Sequence, residues 1–310
     1  MIYVGIDVGG TGIQVGLVDE SGKILCKGGI VTRTDIPFDM QVKAMADCVL
    51  DTIDKGGYTL GDVKAIGAGV PGVTDPRTGN IAFCTNLGWV DVPFVQEFNK
   101  HIAKPVFVGN DATVAGLAES VAGVSAGSDS SVFITLGTGV GGGIIIDGRI
   151  LTGTNGAGGE IGHIHIEDNE TEVCGCKNKG CLEQYASATG ITRLANRRLA
   201  KDDAPSILRG GEISAKTVFD AVKAGDKVAI EIAEQFGEYL GKGLAAVASV
   251  VDPQIFVIGG GVSKAGDILF KYIEPSYKRC AFGPCKQAKF ALAELGNDAG
   301  IYGAAALVLK

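Results

Sequence analysis

Cys174, Cys176 and Cys181 form a Cys-x-Cys-x4-Cys cluster just downstream of His163, with carboxylates on either side. Three thiols and an imidazole in so short a segment make a closed tetrahedral zinc set, leaving no coordination position for a catalytic water. Such a site is structural. Glu160 precedes the imidazole by three residues and Glu183 follows the last thiol by two. A metal held here therefore also fixes where two acids point. Free thiols in a loop are the plainer alternative, and the specific spacing weighs against it. His165 lies two residues beyond His163, on the same face if the segment is a strand, and is the alternative fourth ligand.

Glycine carries the second chemical theme. Gly-rich turns follow apolar runs at Asp7, Gly9, Gly10, Thr11 and Gly12, at Gly137, Thr138 and Gly139, and at Gly259, Gly260 and Gly261. Such turns present backbone N–H groups to anionic oxygens without side-chain obstruction. Gly137, Gly139 and Gly142 also satisfy G-x-G-x-x-G, but a dinucleotide fingerprint must open a helix. Here the run continues into the strand-like Ile144-Ile145-Ile146. One such turn alone is more often a plain tight turn; three in one chain favour phosphate. Asp7, at a strand end beside the first cradle, is placed to hold Mg²⁺ directly or through water. The alternative is a turn aspartate bonding its own backbone.

Asn110-Asp111 closes a predicted strand at 106–109, and open α/β sheets place ligands at the carboxyl ends of their strands. Capping of the helix predicted at 112–120 is the competing explanation. Asn86, in the stretch 85–89, is a turn residue by default.

The elements that must position these residues alternate between strand and helix. Strands are predicted at 2–7, 14–19 and Ile24–Val31, and further strands at 63–69, 106–109 and 255–258. Helical spacing over 39–55 puts Val42, Met45, Ala46, Val49 and Ile53 on one face. Lys227–Val251 reads as one long helix, with Val228, Ile232, Phe236, Leu240, Leu244, Val247 and Val251 recurring every three or four residues. A small-residue helix closes the chain at 300–310. The opening VGIDVGGTGIQVGLVDESGKIL is echoed by VFITLGTGVGGGIIIDGRIL from Val132: strand, Gly/Thr turn, strand, acidic turn, strand. A repeat of this kind predicts two lobes of related topology around a central cleft. The expected division is a small α/β lobe over 1–115, completed by the helix at 298–310, and a large α/β lobe over 116–297 that carries the zinc loop.

The 310 residues suffice for a large core in two lobes. A net charge of −7 without runs of one sign argues against nucleic acid or an anionic membrane as partner. No apolar stretch is long and clean enough to span a membrane. Met1 runs straight into a strand-like segment rather than a signal peptide. Eight cysteines without an export signal read as reduced thiols and metal ligands. The expected location is cytoplasmic.

Taken together, these motifs resemble those of the ROK family (repressor, open reading frame, kinase), and among its members the bacterial ATP-dependent glucokinases. The stretches that carry the likeness are Asp7 to Thr11, Val70-Pro71-Gly72, 85–89, Asn110-Asp111, 136–143, 158–163, 174–183, 187–190 and 252–261. The resemblance runs nearly end to end. It implies an actin-like ATPase (ribonuclease H-like) fold and an ATP- and Mg²⁺-dependent transfer of phosphate to the 6-hydroxyl of glucose. By the family pattern Asp111 is the catalytic base. Asn86, Asn110, Asp111, Glu160, His163 and Glu183 contact the sugar. Asp7, Gly9, Gly10, Thr11, Gly12, Gly137, Thr138, Gly139, Gly259, Gly260 and Gly261 hold the nucleotide and its metal. His163, Cys174, Cys176 and Cys181 bind structural Zn²⁺. Homo-oligomers, dimers or tetramers, are common in the family. Two departures from its pattern stand out: Gly12 where many members have lysine, and Lys177 where glycine usually follows the second cysteine. Rival readings are a kinase for N-acetylmannosamine, N-acetylglucosamine, fructose or allose, a donor such as polyphosphate, and a non-catalytic sugar sensor. Repressor members carry a helix-turn-helix ahead of the kinase fold, and here the first strand starts at Ile2 with no basic helical segment before it.

Overall fold

The structure is a computed structural model that describes residues 1–75 and 77–309. Its first half runs β1 (Ile2–Val8), β2 (Gly12–Asp19), β3 (Ile24–Val31), α1 (Phe38–Lys55) and β4 (Val63–Val70). Three short strands follow, β5 (Val73–Asp75), β6 (Asn80–Cys84) and β7 (Trp89–Val92), then α2 (Phe94–Asn99), β8 (Val106–Asn110) and α3 (Asp111–Ala122). The second half contains β9 (Ser130–Leu136), β10 (Val140–Ile146), β11 (Arg149–Ile150), α4 (Glu183–Ala186), α5 (Ala188–Leu199), α6 (Ala215–Lys223) and α7 (Lys227–Val251). It ends with β12 (Ile255–Gly259), α8 (Ile268–Cys280), β13 (Lys289–Leu292) and α9 (Ala299–Ala306).

Two five-stranded sheets share one topology. The first has the order β3-β2-β1-β4-β8 and the second β11-β10-β9-β12-β13. In the first, β2 is antiparallel to both β1 and β3, while β1, β4 and β8 run parallel. In the second, β10 and β11 are antiparallel, and β12 runs parallel to β9 and β13. The repeat legible in the sequence is thus a repeat of topology. β1 and β12 are buried almost throughout, as strands covered on both faces must be.

The chain divides into two compact units. One comprises Met1–Asp129, Gly143–Gly159 and Glu294–Lys310, the other Ser130–Gly142 and Glu160–Ala293. The division expected at 115/116 would fall inside α3. That helix stays whole in the first unit because α9 packs along it, so closely that a Cβ on Gly303 would overlap the Val114 carbonyl. Gly5 and Gly67 allow the same approach of α9 to β1 and β4, since a Cβ on either would strike the Ile301 or Ala304 carbonyl oxygen.

In the second unit the predicted stripe of α7 is buried from Val228 to Val247. Asp226 caps this helix by accepting from Ala229 N (2.9 Å), and Asp252 ends it in the left-handed region at φ 47°. Gly237 and Gly241 let α7 approach the backbone of α8. Among the described residues no helix is long and apolar enough to cross a membrane. The sheet β5-β6-β7 was not anticipated. Its strands span three to five residues and are separated by Gly-containing turns, too short for a periodicity to register.

Candidate functional site

In the first unit the candidate residues gather at the carboxyl ends of parallel strands. Asp7 is the penultimate residue of β1, Asn110 closes β8, and Asp111 opens α3. Burial, the larger cause, and the Asp111 charge raise the Asp7 carboxyl from 3.8 to about 6. Desolvation by the surrounding protein likewise pushes Asp111 up, against hydrogen bonds such as Ala112 N to Asp111 Oδ1 (2.8 Å). Its surface nevertheless stays open to solvent. Two acids that repel each other call for a cation or a proton.

The turn from β1 to β2 is closed by Gly9 N donating to Gly12 O (2.9 Å), and Thr32 Oγ1 donates to Gly9 O (2.6 Å). Asn86, in a short 3₁₀ turn at Thr85–Leu87, abuts this loop: its Cβ lies 3.7 Å from where a Cβ on Gly10 would be. Asn110 performs the capping role that competed with sugar contact. Its Oδ1 accepts from Thr113 N (3.1 Å) and its Nδ2 donates to Gly72 O (3.0 Å). Both ends of that amide are therefore engaged within the protein.

In the second unit the turn from β9 to β10 occupies the place of the β1–β2 turn in the repeated topology. Gly137 N donates to Gly139 O (3.0 Å), and Ala188 N, at the start of α5, donates to Gly137 O (2.8 Å). A Cβ on Gly137 would meet nothing within 4 Å, and the same holds for Gly261. Neither packing nor a positive φ demands glycine at these two positions. Gly260 is different: at φ 82°, its Cβ would crowd the Leu136 backbone, so the fold itself requires glycine there. At Gly139 a Cβ would lie 2.5 Å from Glu183 Oε2, so a side chain there would displace that carboxylate.

His163, Cys174, Cys176 and Cys181 converge, with one donor atom from each all within 4.8 Å of one another. Cys174 Sγ lies 3.8 Å from His163 Nδ1, and Cys176 Sγ lies 3.6 Å from Cys181 Sγ. Tetrahedral zinc with Zn–S near 2.3 Å sets sulfurs about 3.8 Å apart, so the donor set fits the ion. His165 is committed elsewhere, its ring nitrogens 2.9 Å from Lys179 O and 2.8 Å from Asp168 Oδ1. Lys177 takes a left-handed φ of 72°, which explains why glycine suits that position.

Burial, and then a hydrogen bond to Glu183, push the Cys174 thiol far up. That thiol donates to Glu183 Oε1 (2.9 Å), while Val140 N approaches Glu183 Oε2 at 3.4 Å. Glu183 thus joins the cysteine cluster to the β9–β10 turn. Glu160 immediately precedes the 3₁₀ turn Ile161–His163, with its Oε2 3.9 Å from His163 Nε2. Thr138, Gly139, Cys174, Glu183, Ser187 and Arg193 line part of a cavity of about 380 Å³.

Behind α4 lies a network that the sequence did not announce. The Glu170 side chain is 1% exposed and accepts from Tyr185 Oη (2.5 Å), Arg193 (2.9 Å) and Arg197 (2.9 Å). Burial alone would raise this carboxyl; the hydrogen bonds from Arg197 and Tyr185 overturn it and hold the group down at about 2. Gln184 ties the network to the cluster, accepting from Cys181 N (3.1 Å) and donating to Glu172 O (3.1 Å). The partners are separated by 15 to 27 residues, beyond the reach of any local motif.

Comparison with known proteins decides the family. Residues 3–310 match the ROK family. The chain belongs to the ROK family. Among ROK relatives, the glucokinase of Halalkalibacterium halodurans is 39% identical over 99% of this chain and 94% of its own length. The glucokinase of Thermotoga maritima is 36% identical over 98% of this chain and 96% of its own. A crystal structure of a ROK family glucokinase from Streptomyces griseus, in complex with glucose and AMPPNP, superposes with a TM-score of 0.79 at 35% identity, covering 99% of both chains. The ROK chain described here accordingly has the actin-like ATPase fold, its two sheets being the repeated α/β topology of that fold.

Proposed function

We propose that this chain is a hexose kinase that transfers the γ-phosphoryl group of ATP to the 6-hydroxyl of glucose. The observation that carries the reading is the placing of Asp7 near the carboxyl end of β1 and of Asp111 at the start of α3, close enough that the Asp111 charge helps to raise Asp7. A primary hydroxyl is a poor nucleophile. A carboxylate with an elevated pKa, within hydrogen-bond reach, takes its proton as phosphoryl transfer proceeds. Asp111 is the group assigned to hold that proton. Asp7 is assigned to the metal side of the reaction, and a half-buried acid that both desolvation and a neighbouring negative charge push up fits a divalent cation. Magnesium, when bound, neutralises charge on the phosphates.

Gly137 and Gly261 support a phosphate cradle, since the fold gives no reason for glycine where a Cβ would meet only open space. Asn86, Glu160, Glu183 and the Nε2 of His163 are assigned to sugar hydroxyls, with Asn110 holding the α3 terminus that carries Asp111. Zinc on His163, Cys174, Cys176 and Cys181 would replace the Cys174 proton now shared with Glu183, fixing the loop that carries these acids. The similarity to two glucokinases at 36–39% identity favours glucose as the acceptor.

The test is a coupled assay with MgATP over a panel of hexoses and N-acetylhexosamines, on wild type and Asp111→Asn. Glucose should give the highest catalytic efficiency. In the variant, turnover should fall on the order of 10²- to 10⁴-fold, with sugar affinity by calorimetry nearly unchanged. Higher efficiency with an N-acetylhexosamine would reassign the sugar. Near-normal turnover in Asp111→Asn would leave Asp111 a helix-terminus residue only, because an amide serves there about as well as a carboxylate.

A further inference from the structure

Among the glycines on which α9 docks, Gly300 differs in what it faces. Gly5, Gly67 and Gly303 make room for backbone carbonyls, which is packing alone. A Cβ on Gly300 would instead overlap the Asp7 carboxylate: its carbon and Oδ2 outright, with Oδ1, the most distant of the three, at 2.7 Å. Gly300 lies in the first turn of α9, where nothing in its φ asks for glycine. An exposed helix position would favour alanine over glycine by roughly 1 kcal/mol. The helix cannot retreat to admit a methyl group, because Gly5, Gly67 and Gly303 hold it in near contact with β1, β4 and α3. The carboxylate would have to turn away instead.

We infer that Gly300 is a positioning residue for Asp7: by lacking a side chain it admits the carboxylate against α9 and so sets its direction. The functional half of this inference rests on the magnesium role proposed for Asp7; the steric half does not. Loss of a group that orients a metal-binding residue typically costs on the order of 10- to 100-fold in metal affinity or activity.

The experiment compares Gly300→Ala, Asp7→Ala and the double variant, as full chains, by thermal melting in chelator and by magnesium titration of turnover. Gly300→Ala should lower the melting temperature in the wild-type background and have little effect in the Asp7→Ala background, where the side chain it strikes is gone. It should also raise the magnesium concentration for half-maximal turnover on the order of 10- to 100-fold, while sugar affinity measured without nucleotide stays the same. An equal loss of melting temperature in both backgrounds would overturn the inference, as would wild-type magnesium dependence in a folded Gly300→Ala. Should Gly300→Ala prove insoluble, recovery of soluble protein in the double variant supports the inference and continued insolubility overturns it. An Asp7→Ala protein with unchanged magnesium dependence would instead refute the role given to Asp7, and the melting comparison would still decide whether Gly300 sets its direction.

Discussion

At Asp7, burial and a like charge act in the same direction, and the consequence is a measurable dependence of stability on pH. The carboxyl is raised from 3.8 to about 6, so between those values the native protein holds a proton that the unfolded chain has released. Stability from this group is therefore fully present below the unfolded pKa and is lost as pH rises through the folded one. Without divalent metal, Asp7→Asn should melt above wild type at pH 7, by an amount on the order of 2 kcal/mol. The gap should close near the unfolded value of 3.8. Thermal melts in chelator across that range check the sign, and a variant less stable than wild type at pH 7 would refute it. At this scale the sequence was informative wherever residue type alone specifies chemistry, as with three thiols and a histidine. It was silent on whether Asn110 caps the helix, because the same side chain suits both a cap and a ligand contact, and its bonds with Thr113 N and Gly72 O show the cap.

Elements were legible in proportion to their length and regularity. The stripe of α7 spans 25 residues and its ends were read correctly, since a long amphipathic period and an Asp-Pro stop leave few alternatives. The short strands β5, β6 and β7 gave no such signal. Nor did α3 advertise that Glu119, fully buried, holds the chain where it returns to the first unit. Its Oε1 accepts from Glu294 N and Leu295 N (2.9 Å each) and its Oε2 from Val124 N (3.0 Å). Glu119→Ala strands three donors at once and should cost at least about 2 kcal/mol in urea denaturation. Glu119→Gln, which keeps one acceptor oxygen, should cost less. Equal stability of Glu119→Ala and wild type would show that water replaces the carboxylate without penalty.

For the whole molecule, the metal cluster links stability to one region. Cys176→Ser should lose zinc in metal analysis and speed amide exchange over 160–186, because binding free energy at such a loop is folding free energy. The first sheet, β3-β2-β1-β4-β8, shares no ligand with the cluster and should keep its protection. Full zinc content in the variant, or uniform loss of protection across the chain, would contradict this. The sequence by itself determined the repeated strand–turn–strand pattern, the glycine turns and the Cys/His donor set, because periodicity, backbone freedom and ligand chemistry are properties of short segments. Only the tertiary structure decided that His163 and not His165 joins the cysteines, that Glu183 links them to the β9–β10 turn, and that Gly300 faces Asp7. Those are contacts between residues up to hundreds of positions apart, and which partners meet is set by how strands and helices pack, a choice that no local pattern encodes.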